Sequence, residues 1–197
     1  VYVNGKEAGY WPYGYNSFHL DVTPYLKAGE VNELAVRLEN ENESSRWYPG
    51  AGLYRNVHLV VTEDAYVPTW GTHVTTPVVN EKYAKVVLNT KLATAKGADR
   101  SAYRIVTEIK DPNGKVVAKE ENKLSVFNEC QFEQEFAVAT PALWSVENPF
   151  LYTAESKIYA GNTLKDEYTT RFGIRTLEII PEKGFFLNGK MTKFKGV

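Results

Sequence analysis

Tyr103-Arg104-Ile105-Val106-Thr107-Glu108-Ile109 runs straight into Asp111-Pro112-Asn113-Gly114. In the first stretch apolar side chains recur at every second position, which places them on one face of an extended strand. The second stretch is turn chemistry, with a proline that sets φ and a glycine that tolerates positive φ. Strand followed by tight reversal is the unit of an antiparallel sheet. The same unit recurs in Leu34-Ala35-Val36-Arg37-Leu38, whose alternation predicts a strand with one apolar face against a core. Further reversals are signalled at Asn4-Gly5, Lys27-Ala28-Gly29, Ala160-Gly161-Asn162 and Asn188-Gly189. No stretch shows a helical period longer than a turn or two.

Working outward, strands are predicted near 72–76, 84–94, 103–110, 115–120, 131–138, 151–159 and 164–172. Seven strands in about a hundred residues is the number in an immunoglobulin-like sandwich. The first 63 residues differ in texture, being dense in aromatic residues such as Tyr10, Trp11, Tyr13, Tyr15, Phe18, Trp47, Tyr48 and Tyr54. The tail, Gly184-Phe185-Phe186-Leu187-Asn188-Gly189-Lys190, reads as one more hairpin. The chain is therefore expected to be all-β throughout.

Composition narrows the function. The hydrophobic share of 43% and charged share of 24% over 197 residues are those of an ordinary globular protein, so the chain should fold. A net charge of −1 with both signs interspersed provides no basic stripe for nucleic acid and no polybasic patch for a membrane surface. No apolar run approaches the length of a bilayer span. The first residue is Val1 rather than Met, and Val1-Tyr2-Val3-Asn4-Gly5 has no signal-peptide pattern, which suggests a chain cut from a longer one. Compartment is left open. Cys130 is the single cysteine, so no intrachain disulfide can form.

Hydrolysis by paired carboxylates needs two acids facing one substrate, about 5 Å apart or somewhat farther. Glu120, Glu121, Glu129, Glu133 and Glu135 supply acids, but Glu133 and Glu135 alternate with Phe132 and Phe136 as the solvated face of a strand would. Glu39-Asn40-Glu41-Asn42-Glu43 lacks the glycine turn and spaced ligands of a calcium loop. His19, His58 and His73 are too scattered to suggest a metal site, and His58 is expected to point outward from a strand. Ser44-Ser45 has neither a sharp glycine-flanked turn nor a nearby histidine to make a nucleophile. No cofactor is implied.

Four separated segments resemble family 2 glycoside hydrolases, in that family's order and across nearly the whole chain. Val3-Asn4-Gly5 through Gly14-Tyr15, Phe18, Asp21-Val22-Thr23 and Leu26 to Asn32 and Leu34-Ala35-Val36-Arg37 is similar to the later half of the family's sugar-binding jelly roll. Ser44-Ser45-Arg46-Trp47-Tyr48-Pro49-Gly50-Ala51-Gly52-Leu53-Tyr54-Arg55 is the most specific of the four. Pro141-Ala142-Leu143-Trp144-Ser145-Val146-Glu147-Asn148-Pro149-Phe150-Leu151-Tyr152 resembles the late loop and strand of its immunoglobulin-like domain. Phe172-Gly173-Ile174-Arg175, then Phe186-Leu187-Asn188-Gly189-Lys190 and Lys195-Gly196-Val197, looks like the passage into its catalytic (β/α)8 barrel.

The resemblance implies a partial jelly roll over 1–63, an immunoglobulin-like sandwich over 64–173, and the opening hairpin of a barrel over 174–197. It implies that both catalytic glutamates lie beyond Val197, so this chain alone should be inactive although its parent is a glycosidase. It places Arg46 and Trp47 on a loop that reaches the barrel mouth, where the residue matching Arg46 contacts the terminal sugar and is Asp in several relatives. Arg donates hydrogen bonds but accepts none, so its contacts must differ. The competing reading has Trp47 packed on Tyr48 and Pro49. Structural roles are expected for Trp144 and Tyr152 in the core, for an Asp21–Arg37 ion pair, for both Asn-Gly pairs as turns, and for Arg175 in orienting the strand toward the barrel. A β-galactosidase parent is the first reading, a β-glucuronidase or β-mannosidase the second, and a free-standing carbohydrate-binding or adhesion module the third. The expected partners are a carbohydrate substrate and the missing barrel, with self-association through strand edges left exposed.

Overall fold

The computed structural model describes residues 1–40, 51–95, 102–125, 129–194 and 196. They fall into two compact units, Val1–Val60 and Val61–Val197. Among the described residues the regular structure is strand apart from one 3-10 turn over Thr23–Tyr25, so the all-β expectation holds.

In the first unit β1 (Tyr2–Val3), β2 (Lys6–Glu7) and β3 (Leu34–Ala35) form an antiparallel sheet in the order β2-β1-β3. Asn4 (φ 52°) and Gly5 (φ 77°) make the β1–β2 turn, with the paired left-handed torsions such a two-residue hairpin needs. Val3 is buried, but Leu34 and Leu38 are exposed. The alternation of Leu34–Leu38 thus yields a two-residue strand, and both leucines stay exposed among the described residues, because three strands of two residues cannot supply a facing layer. His58 is exposed as expected, yet Ala51–Val60 contains no strand. The Asp21–Arg37 pair is replaced by two local contacts. Asp21 Oδ1 accepts from the Thr23 N–H at 2.9 Å, at the start of the 3-10 turn, and Arg37 pairs with Glu39 at 2.6 Å. Both partners lie within two residues, and short contacts of that kind need no tertiary frame.

The second unit is a sandwich. One sheet holds β4 (Ala65–Tyr66) and β5 (Thr72–Val79) on one flank of β6 (Tyr83–Thr94), with β9 (Glu129–Ala139) on the other. The second sheet has the order β11-β10-β7-β8, from β7 (Ala102–Lys110), β8 (Val116–Ser125), β10 (Tyr152–Ala160) and β11 (Thr163–Phe172). All pairings are antiparallel, and the chain crosses between sheets from β6 to β7, from β8 to β9 and from β9 to β10. That is a seven-stranded immunoglobulin-like arrangement with the short β4 added to the edge. The predicted strands recur within a few residues, except that β8 continues to Ser125. Its Lys119-Glu120-Glu121-Asn122-Lys123 is polar on both faces, as suits an edge strand, and so hides the alternation.

The core is tiered. Val86, Leu88, Ile109, Phe136, Tyr152 and Phe172 belong to one apolar cluster, and Leu92, Tyr103, Ile105 and Ile158 to another. Between them lie buried Thr90, Thr107, Gln134 and Ser156. The Thr107 hydroxyl bonds Gln134 Oε1 at 2.7 Å and Ser156 Oγ at 2.9 Å, and Gln134 Nε2 donates to Asn122 Oδ1 at 2.8 Å. Paired in this way, Thr107, Gln134 and Ser156 avoid the cost of orphaned groups and help fix the facing of the two sheets, whereas the buried Thr90 hydroxyl has no partner among the described residues.

Beyond Phe172 the chain forms a small antiparallel sheet from β12 (Leu177–Ile180), β13 (Gly184–Leu187) and β14 (Lys190–Met191), with the Asn188-Gly189 turn between the last two. This is the expected terminal hairpin plus one strand before it.

Candidate functional site

Arg46 and Trp47, the residues on which a sugar-side role was expected, lie outside the described residues. The later part of their motif is described. Leu53 and Tyr54 are exposed, and the Arg55 guanidinium lies over the Tyr54 ring, 5.2 Å from its centroid. The Tyr54 hydroxyl reaches back to donate to the Gly14 carbonyl at 3.3 Å. That contact ties the motif to the aromatic segment before it, where Tyr13 and Tyr15 stand 5.7 Å apart and Trp11 stacks on Phe18 at 5.6 Å and 12°. All four of these rings are exposed. An aromatic ring with a polar tip can hold an apolar face of a ligand while binding a hydroxyl at its edge.

Carboxylates in the second unit are arranged for structure. Glu108 on β7 and Glu155 on β10 are directly opposed in register. Lys110 binds Glu155 and lies 3.7 Å from Glu108, which Lys119 also holds at 2.9 Å. The Lys119 hydrogen bond keeps the Glu108 carboxyl below the usual carboxylate range, and Glu155 in turn raises Lys110. A general acid needs the reverse, a carboxyl kept protonated near neutral pH. Glu133 accepts from Asn89 at 3.1 Å and Glu135 pairs with Lys85 at 2.5 Å, both on the solvated face that their alternation foretold. Among the described residues no three His, Cys, Asp or Glu side chains gather as metal ligands would.

A second constellation lies on the rim of the sandwich. Tyr152 is 3% exposed, and its hydroxyl accepts from the Ala142 N–H at 2.9 Å, so it does anchor the core. Burial pushes its phenol above the ordinary value. Trp144 sits higher, half-buried, with the Arg175 guanidinium 4.7 Å from the ring and Gly173 against its Cβ. Arg175 thereby makes a cation–π contact with a loop of the sandwich. The Asn188 side chain, which sequence reading left as a turn former, joins this rim through Thr176 and Trp144. Nothing in an Asn-Gly pair signals such a partner.

The profile of the family described as Glycosyl hydrolases family 2 matches residues 65–175. A β-galactosidase of Bacteroides ovatus, BoGH2A, is 42% identical over all of this chain and 23% of its own length. A β-glucuronidase of Formosa agariphila is 28% identical, again over all of this chain and 22% of its own. The crystal structure of a glycosyl hydrolase family 2 member from Bacteroides cellulosilyticus superposes with a TM-score of 0.93 at 36% identity, covering 99% of this chain and 27% of that one. The chain thus spans about a quarter of the length of the relatives it matches.

Proposed function

The chain belongs to glycosyl hydrolase family 2, and from that membership we propose that it is a non-catalytic scaffold within a retaining β-galactosidase acting on terminal β-galactosides. The observation that carries the scaffold reading is the opposed pair Glu108 and Glu155, which is neutralised by Lys110 and Lys119 rather than set at two different protonation states. The sugar follows from the 42% identity to a β-galactosidase along the entire chain. In this reading residues 1–63 are the later part of a jelly roll, 64–173 an immunoglobulin-like spacer, and 174–197 the approach to a catalytic barrel that supplies both glutamates. The uncovered apolar side of β3 is then closed by the rest of that jelly roll. Arg46 donates to a hydroxyl of the terminal sugar, and Trp47 shapes the loop that carries it.

A second reading, a β-glucuronidase, is favoured by the match to one along the whole chain. The test has two arms. The purified chain should turn over neither chromogenic β-galactosides nor β-glucuronides. Activity that survives repurification and is lost on replacing a carboxylate of this chain would overturn the scaffold reading. A longer chain that includes the barrel should prefer the galactoside, and faster hydrolysis of the glucuronide would overturn the choice of sugar.

A further inference from the structure

Asn188 stands at the first inner position of the β13–β14 turn with φ 50°, followed by Gly189 at φ 74°. Those torsions alone account for an Asn-Gly pair. The side chain nevertheless bonds two other segments. Its Oδ1 accepts from the Thr176 N–H at 3.0 Å, and its Nδ2 donates to the Trp144 carbonyl at 2.9 Å. Its own N–H donates to the Thr176 carbonyl at 3.0 Å. Trp144 is held from its other end too, since its N–H donates to the Ile174 carbonyl at 2.9 Å. The Thr76 hydroxyl bonds the Arg175 carbonyl at 2.9 Å, so β5 joins the same junction.

Only Gly173-Ile174-Arg175-Thr176 connects β11 to β12. A link of four residues that includes glycine has enough free torsions to let the β12–β14 sheet swing unless side chains restrain it. Among the described residues, Asn188 belongs to the far side of the link and its amide bonds both the link and the sandwich loop. We infer that Asn188 is a positioning residue, whose amide fixes the angle between the β12–β14 sheet and the immunoglobulin-like sandwich. The sandwich then dictates the direction in which the chain proceeds beyond Met191.

The first unit repeats the device independently. Asn4, in the other Asn-Gly turn, donates through Nδ2 to the Tyr25 carbonyl at 2.9 Å and to Asn32 Oδ1 at 2.8 Å, and its Oδ1 accepts from the Glu33 N–H at 3.0 Å. In both units the asparagine closes the turn with its backbone and secures the hairpin with its amide. Any effect of Asn188 on catalysis rests on the proposed scaffold role, whereas the restraint itself does not.

The test measures orientation in the full chain by electron-spin distance distributions. Labels are placed at Glu120→Cys on β8 and Glu178→Cys on β12, with Cys130→Ala removing the native thiol. The parent should give one narrow distribution. Asn188→Gly keeps the left-handed turn but deletes both amide bonds, and should raise the detached population roughly ten- to a hundredfold, read as a broadened or second distance component. Asn188→Asp keeps the acceptor for Thr176 and loses the donor to Trp144, and should broaden the distribution less. Unchanged melting of the sandwich in both variants shows that they fold. A distribution already broad in the parent, or one that Asn188→Gly leaves narrow, would overturn the inference and leave Asn188 a turn residue. Glycosidase assays do not enter, so failure here is separable from failure of the catalytic reading.

Discussion

Replacing Gly173 with alanine tests the rim directly. A Cβ on Gly173 would lie 2.7 Å from Trp144 Cβ, 2.9 Å from Cγ and 3.0 Å from Cδ1. Carbon atoms pack at about 3.5–4.0 Å, so the deficit is about 1 Å against the inflexible base of a side chain. Trp144 has little room to retreat, because its N–H and carbonyl are both bonded and Arg175 lies over its ring. Gly173 does not occupy the left-handed region, so the penalty is steric rather than torsional. Such overpacking costs about 1–3 kcal/mol. Against it stands the gain of about 0.4–1 kcal/mol from a stiffer unfolded chain. The net loss of roughly 0.5–2.5 kcal/mol corresponds to about 1–10 °C in melting temperature for a chain of this size. Urea unfolding and thermal melts of Gly173→Ala measure it. The decisive comparison repeats the substitution in two backgrounds. In Trp144→Gly the clashing atoms are gone and Gly173→Ala should be neutral or stabilising, whereas in Trp144→Ala the nearest atom remains and a cost should persist. Equal costs in all backgrounds, or none in the parent, would refute the steric account.

Tyr152 should make the sandwich sensitive to alkali. Its folded pKa is raised above the ordinary 10.0 by burial, so the unfolded chain ionises first. The stability this group contributes is complete below about pH 10 and is lost as pH rises through the folded value. Tyr152→Phe should flatten that alkaline limb in urea titrations, while costing about 1 kcal/mol at neutral pH by orphaning the Ala142 N–H. An unaltered limb would show that the phenol does not report on folding. In a longer chain that includes the barrel, Arg46→Ala should lower kcat/KM about ten- to a hundredfold with little change in melting temperature, and Arg46→Lys should recover part of it. Trp47→Ala should lower both activity and melting temperature. Unchanged kinetics in Arg46→Ala would remove that residue from the sugar.

The order of strands and turns was written in the sequence because both are local. Alternation in Tyr103–Ile109 needs only a strand's two-residue period, and the left-handed torsions at Asn4-Gly5 and Asn188-Gly189 need only residues that tolerate them. The same locality made the solvated Glu133 and Glu135 legible. What failed were two inferences in the first unit that required a partner surface. Leu34–Leu38 has a buried strand's pattern and little of its structure, since alternation says which face is apolar and not whether a second layer covers it. Asp21 and Arg37 each found a neighbour nearer in sequence than the other.

The rim belongs wholly to tertiary structure. Gly173 looks like any glycine until Trp144, from a loop that precedes β10, is laid against it. Asn188 reads as a turn former because the turn uses its backbone, while its amide acts 44 residues away at Trp144. The polar tier of Thr107, Gln134 and Ser156 likewise comes from three strands far apart in the chain, and only their packing brings the three together. Periodicity determines the direction of a side chain from its own strand. Contact between side chains depends on the packing of the two sheets and on the register within each, and this the tertiary structure alone decided.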